Sequence, residues 1–169
     1  GSRPNLRESI SIAAGVLLLL FVLSLLPRVL AGEWPYLVVA EPIPGLALAF
    51  SAEPLGVLFG LIASFLWVVT TVYSIGYMRA HDEAHQTRFY TFFAIAIGSA
   101  IGIAFADNLL TLFLFYEILT LSTYPLVTHA GTPEARQGGR TYLGVLMATS
   151  VGFLLLAVDK STGSIFRRT

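Results

Sequence analysis

The chain has 169 residues, of which 56% are hydrophobic and 12% charged, with a mean hydropathy of +0.77. A typical soluble domain carries roughly 25% charge, so this composition excludes an ordinary water-soluble globule; it points to an all-α polytopic membrane protein of about five transmembrane helices. Ten basic and ten acidic residues cancel, which removes any charge argument for nucleic acid, and the absence of cysteine excludes disulfide scaffolds, thiolate metal sites and cysteine nucleophiles.

A helix needs about 20 apolar residues to cross a bilayer. In chain order the spans fall at about 9–30, 54–78, 89–106, 108–128 and 141–158. Lipid offers no partner to backbone groups, so runs of this length read as helices rather than strands. Arg3 and Arg7 ahead of Ile12–Leu26 have the layout of a signal peptide. Four further spans and no small-residue cleavage site before Pro27-Arg28 argue instead for a retained first span. The opening Gly1-Ser2, without an initiator Met, reads as a cloning scar or an internal start.

Between the first two spans, the 31–53 segment carries Glu33, Glu41 and Glu53. Short β-like runs at Tyr36–Ala40 and Leu46–Phe50 flank Pro42-Ile43-Pro44-Gly45 and predict a surface hairpin. Spans three and four are separated by Asp107-Asn108, two good turn and capping residues, which predicts a tight helical hairpin. Glycines and alanine at Gly138, Gly139, Gly144, Ala148 and Gly152 run into and along span five and suggest close helix packing there.

Arg3 and Arg7, Arg79 and Arg88, and Arg136 and Arg140 occupy alternate connections, and the positive-inside rule places them together in the cytoplasm. Loops 79–88 and 129–140 are then cytoplasmic, and the acidic 31–53 segment lies outside. Asp159–Thr169, with Lys160, Arg167 and Arg168, conflicts with that arrangement and reads as an atypical polar tail.

Glu117 is the single formal charge in span four, about ten residues from either end. An ionised side chain at that depth costs on the order of 2.5 to 3.5 kcal/mol, so such residues face a protein interior or a water cavity. Burial disfavours the charged form of a carboxylate, the property a proton carrier needs. Phe113, Thr120 and Tyr124 share its helix face, so Thr120 and Tyr124 set hydroxyls beside the carboxylate. A proton or ion pathway is the leading reading; a protonated glutamate that joins two helices through a hydrogen bond is the other. Asp107 is read first as the N-cap of span four, and second as a proton-access group near the outer surface. His129, at the cytoplasmic end of span four, is either an interfacial residue or a proton-exchanging one. His81-Asp82-Glu83-Ala84-His85 places two histidines four apart, but Asp stands where the zinc protease pattern needs Glu, so a solvated helix end is the better reading. No nucleophile–base pair, cofactor loop or metal cluster stands out, and neither catalysis by the chain nor a cofactor nor a metal is expected.

The stretches Tyr73-Ser-Ile-Gly-Tyr-Met78, Arg88-Phe-Tyr90, Ala106-Asp-Asn-Leu-Leu110, Phe115-Tyr-Glu-Ile-Leu-Thr-Leu-Ser-Thr-Tyr124 and Gly139-Arg-Thr-Tyr-Leu143 together resemble the antiporter-like subunits shared by Mrp-type cation/proton antiporters and respiratory complex I. The run over 116–129 is most similar to the D-type member of the Mrp set. The resemblance covers about 3–158 and implies that residues 1–158 form part of such a subunit, its helices two to six, with 159–169 outside the pattern. It implies that Glu117 handles protons, beside a lysine two helices later. The only lysine here is Lys160, in the polar tail. The implied setting is a multi-subunit antiporter in the plasma (inner) membrane. Other membrane subunits and the lipid bilayer are its partners, and protons and a monovalent cation such as sodium its cargo. The alternatives are a proton-pumping subunit of a complex I-like NADH:quinone oxidoreductase or membrane hydrogenase, and a non-transporting membrane scaffold.

Overall fold

The computed structural model describes residues 4–43, 46–80, 86–128, 132 and 137–152. Helix α1 (Pro4–Leu30) leads into a hairpin of β1 (Tyr36–Ile43) and β2 (Leu46–Ser51). Helices α2 (Pro54–Ala80), α3 (Gln86–Ala104) and α4 (Leu109–Val127) follow, and a fifth helix, α5, runs over 137–152. Helices α1 to α4 are each long and apolar enough to cross a membrane. Leu17, Leu20, Ile62, Phe65, Leu66 and Val72 are all more than half exposed, a liability in water and the ordinary condition of a surface that meets lipid or other subunits.

Both ends of α1 have local causes. Proline suits the first turn of a helix, where its missing N–H has no intrahelical partner to lose, and α1 opens on Pro4. At the other end the Gly32 N–H donates to the Val29 carbonyl and the Glu33 N–H to the Arg28 carbonyl, both at 3.0 Å. Gly32 has φ +82, so this is a Schellman closure that glycine alone adopts without strain. The helix begins at Pro4 rather than at Ser9 because its early charges are satisfied: Glu8 pairs with Arg79 of α2. For the same reason α2 runs through Arg79 instead of stopping at Met78.

The hairpin is a two-stranded antiparallel sheet with Tyr36 opposite Ser51, Leu37 opposite Phe50 and Ile43 opposite Leu46. Its first strand is exposed and carries Pro42, which an edge strand tolerates. Its second strand is covered by the α3–α4 connection: the Ser51 N–H donates to the Phe105 carbonyl at 2.8 Å, and the Asp107 N–H to the Ala49 carbonyl at 3.0 Å. Phe105 closes the last turn onto the Ile101 carbonyl and Ala106 bridges to Phe50, which is why α3 ends at Ala104 rather than at Ala106.

The core lies at this same end of the bundle, where Val22, Val29, Ala52, Val57, Ile101 and Phe105 are buried together. Glycines let the backbones meet. A Cβ on Gly56 would collide with the Ala104 carbonyl, and one on Gly60 would lie 3.2 Å from Val22. The packing expected along α5 is confined to Gly139, where a Cβ would strike Thr128 and approach Tyr124. Gly138, Gly144 and Gly152 have open space around them, and Ala148 is exposed; small side chains on that face of α5 meet nothing among the described residues.

Candidate functional site

Helix α4 is held at its start by a polar node. Asn108 has extended backbone, and its Oδ1 accepts from the Thr111 N–H at 2.9 Å and from the Thr111 hydroxyl at 3.0 Å. Thr111 Oγ1 in turn accepts from the Ala49 N–H at 3.0 Å, and Asn108 Nδ2 donates to the Ala47 carbonyl at 2.8 Å. Asn108 is therefore the N-cap, and the expectation that Asp107 caps this helix is corrected. The bond from its N–H to the Ala49 carbonyl ties Asp107 to β2 one residue short of the capping position, with its side chain exposed.

Glu117 is the only charged residue in α4, eight residues after Leu109 and ten before Val127. A rise of 1.5 Å per residue sets it about 12 and 15 Å from the two ends. Its Oε1 is buried without a hydrogen-bond partner, and no lysine or arginine among the described residues forms an ion pair with it. A buried polar atom left unpaired costs free energy, so such groups are few in native structures and concentrate where chemistry needs them.

Thr120, one turn on, is 2% exposed, and its carbonyl accepts from the Thr123 hydroxyl at 2.8 Å. Tyr124 is half-buried, with its ring facing Gly139 of α5. Tyr124 thus lies on the α5 side of α4, and Glu117 and Thr120 share its face by helical repeat. These three are brought together along one helix face. Asp107 is ten residues from Glu117, at the hairpin end of the bundle, and is not brought to it. His81, His85, His129 and the 159–169 tail lie outside the described residues.

A second polar cluster, at the opposite end of the bundle, does not stand out in the sequence. Arg79 Nε donates to Glu8 Oε1 at 3.1 Å and its Nη2 to Glu8 Oε2 and to Asn5 Oδ1. Arg7 donates to Gln86 Oε1 and to Thr87 Oγ1 at 3.3 Å, and its guanidinium lies 5.4 Å from the centroid of the Tyr90 ring. The one signal is Glu8 itself, an acid among the arginines of that end, but a first span begun at Ser9 leaves it outside the helix. The same contacts place the Arg7, Arg79 and Arg88 ends of three helices on one side of the bundle.

No family model matches the chain. Over 163 residues it is 26% identical to a protein of Staphylococcus haemolyticus named "Putative antiporter subunit mnhA2", a match that covers 92% of this chain and 20% of that one. Over 119 residues it is 29% identical to an A1-type Na(+)/H(+) antiporter subunit of Staphylococcus aureus, covering 67% of this chain and 14% of that one. Among solved structures, a chain of the membrane-bound sulfane sulfur reductase, an archaeal respiratory membrane complex, superposes with a TM-score of 0.75 at 20% identity. That match covers 95% of this chain and 26% of the other, and it establishes the shared fold. The chain spans about a fifth or less of the length of the relatives it matches.

Proposed function

We propose that this chain is a proton-handling membrane subunit, or part of one, in a multi-subunit monovalent cation/proton antiporter, with Glu117 as the midplane proton carrier. The observation that carries this reading is the Glu117 Oε1 atom, buried without a partner near the middle of an apolar helix. A carboxyl group in that position exchanges a proton with water or with a cationic neighbour supplied by another helix, since an isolated ion there is costly. Thr120 and Tyr124 lie on the exchange side, Asp107 marks the outer approach and His129 the cytoplasmic one. Loops 79–88 and 129–140 face the cytoplasm of a plasma membrane.

Similarity to subunits named for Na(+)/H(+) antiport supports sodium as the cargo class and further membrane subunits as partners. The narrower D-type reading rests on the 116–129 run alone, whereas the relatives matched along the chain are of the A type. Likeness to a chain of a respiratory complex favours a second reading, in which redox chemistry in a partner drives the same proton site.

Glu117→Gln removes the titrating group and keeps the shape. In membrane vesicles that carry the assembled complex, it is expected to abolish proton-coupled cation transport while the complex still assembles. Unchanged transport sinks the proposal; transport retained with weakened assembly makes Glu117 a link between helices in a scaffold. Iron–sulfur or quinone-reactive subunits in the purified complex would move the reading to the redox-driven class.

A further inference from the structure

Helices α1 and α3 both pack on α2 and scarcely touch each other. A cavity of about 620 Å³ lies between them, with Trp67 of α2 among its lining residues, a volume within the roughly 300 to 1,000 Å³ of small-molecule sites. Its walls change character with depth. Arg7 stands in the first turn of α1 and Thr87 and Tyr90 in the first two turns of α3, and Ala14, Ala94 and Trp67 line it further in. Seven residues separate Arg7 from Ala14, a rise of about 10 Å along the helix.

Two donors in the polar wall are unused. Arg7 Nε and the Tyr90 hydroxyl are both buried without hydrogen-bond partners, and Tyr90 as a whole is 5% exposed. The one acid described at this end, Glu8, is engaged by Arg79 in a forked pair and also lies 3.8 Å from Arg7. Two arginines, Arg7 and Arg79, against that one acid leave a net positive charge among the described residues at the polar end of the groove. A free anion has no use for the apolar walls, and a neutral hydrophobe leaves the donors unanswered. An amphiphile with acceptor oxygens on an anionic head and a hydrocarbon tail satisfies both, and the bilayer supplies one.

We propose that this groove binds an anionic phospholipid, its phosphate against Arg7 and Tyr90 and one acyl chain running past Ala14 and Ala94 to Trp67. The chain has two tryptophans, Trp34 and Trp67, so Trp34→Phe leaves Trp67 as the single reporter. The full chain in this background is reconstituted in phosphatidylcholine vesicles that contain a minor fraction of acyl-brominated lipid, a short-range quencher of indole fluorescence. Brominated phosphatidylglycerol is expected to quench Trp67 about fivefold more effectively than brominated phosphatidylcholine, the preference that one basic side chain near an anionic lipid provides.

Arg7→Gln is expected to remove the preference, and Arg88→Gln, an exposed charge at the same end of the bundle, to keep it. Ala94→Leu narrows the groove and leaves Arg7 in place, and is also expected to remove the preference, which covers the case in which Arg7→Gln fails to fold. Equal quenching by the two lipids overturns the proposal. So does a preference that survives both Arg7→Gln and Ala94→Leu. Absence of quenching by either lipid overturns it as well and assigns the groove to a protein segment.

Discussion

Arg79, at the end of α2, grips both carboxylate oxygens of Glu8, near the start of α1, so that one forked ion pair joins the ends of two antiparallel helices. The partners are unequal. The Glu8 side chain is 6% exposed and that of Arg79 is 55% exposed. Removing Arg79 strands a buried carboxylate, with Arg7 at 3.8 Å the one cation among the described residues left to answer it, whereas neutralising Glu8 leaves an arginine free to reach water. Arg79→Met is therefore expected to lower the thermal unfolding midpoint further than Glu8→Gln, followed by circular dichroism in detergent. The reverse order would show that the buried partner does not set the cost.

The polar node at the start of α4 separates two neighbours. Asn108→Ala removes the cap and the bond to the Ala47 carbonyl together and is expected to cost about 1 to 2 kcal/mol. Asp107→Ala, which deletes an exposed side chain, is expected to stay within about 0.5 kcal/mol. Denaturant titration of the two variants measures the difference, and equal losses would return the capping role to Asp107. If Asp107 belongs to the proton pathway, its variant instead slows transport at unchanged stability.

Glycines divide by what surrounds them. At Gly56 a methyl group meets the Ala104 carbonyl, part of a backbone that cannot swing aside, and at Gly102 it meets the Phe115 ring, itself held edge-on to Phe50 at 5.4 Å. Gly56→Ala and Gly102→Ala are expected to destabilise by about 1 to 3 kcal/mol. Gly76 and Gly98 face open space, and alanine there is expected to be neutral or to stabilise by up to about 1 kcal/mol through helix propensity. Any partner that covers those faces in a larger assembly turns the same substitutions into probes of assembly, read by co-purification.

The candidate site is legible in the sequence where one residue carries the signal. Glu117 stands out because a charge amid leucines and phenylalanines needs no knowledge of neighbours, and its companions Thr120 and Tyr124 follow from helical repeat alone. Asp107 and Asn108 are not separable in that way. Both are good caps, and the choice depends on the backbone bonds that tie Phe105 and Asp107 to β2. Glu8 gives no comparable signal because its burial comes from Arg79, a residue of another helix.

Run length and polarity were enough to mark the helices, the hairpin and the lone carboxylate near the middle of α4. In lipid each segment must satisfy its own backbone hydrogen bonds, so hydropathy along the chain already specifies where a helix is compulsory. Which helix ends meet is a different matter. The Arg79–Glu8 pair joins residues 71 apart, the Arg7–Thr87 bond residues 80 apart and the Ala49–Thr111 bond residues 62 apart. No periodicity within a helix encodes such separations. The cap of α4, the ion pair between α1 and α2 and the groove between α1 and α3 exist only once the helices are packed, because each is made of side chains whose partners arrive from elsewhere in the chain.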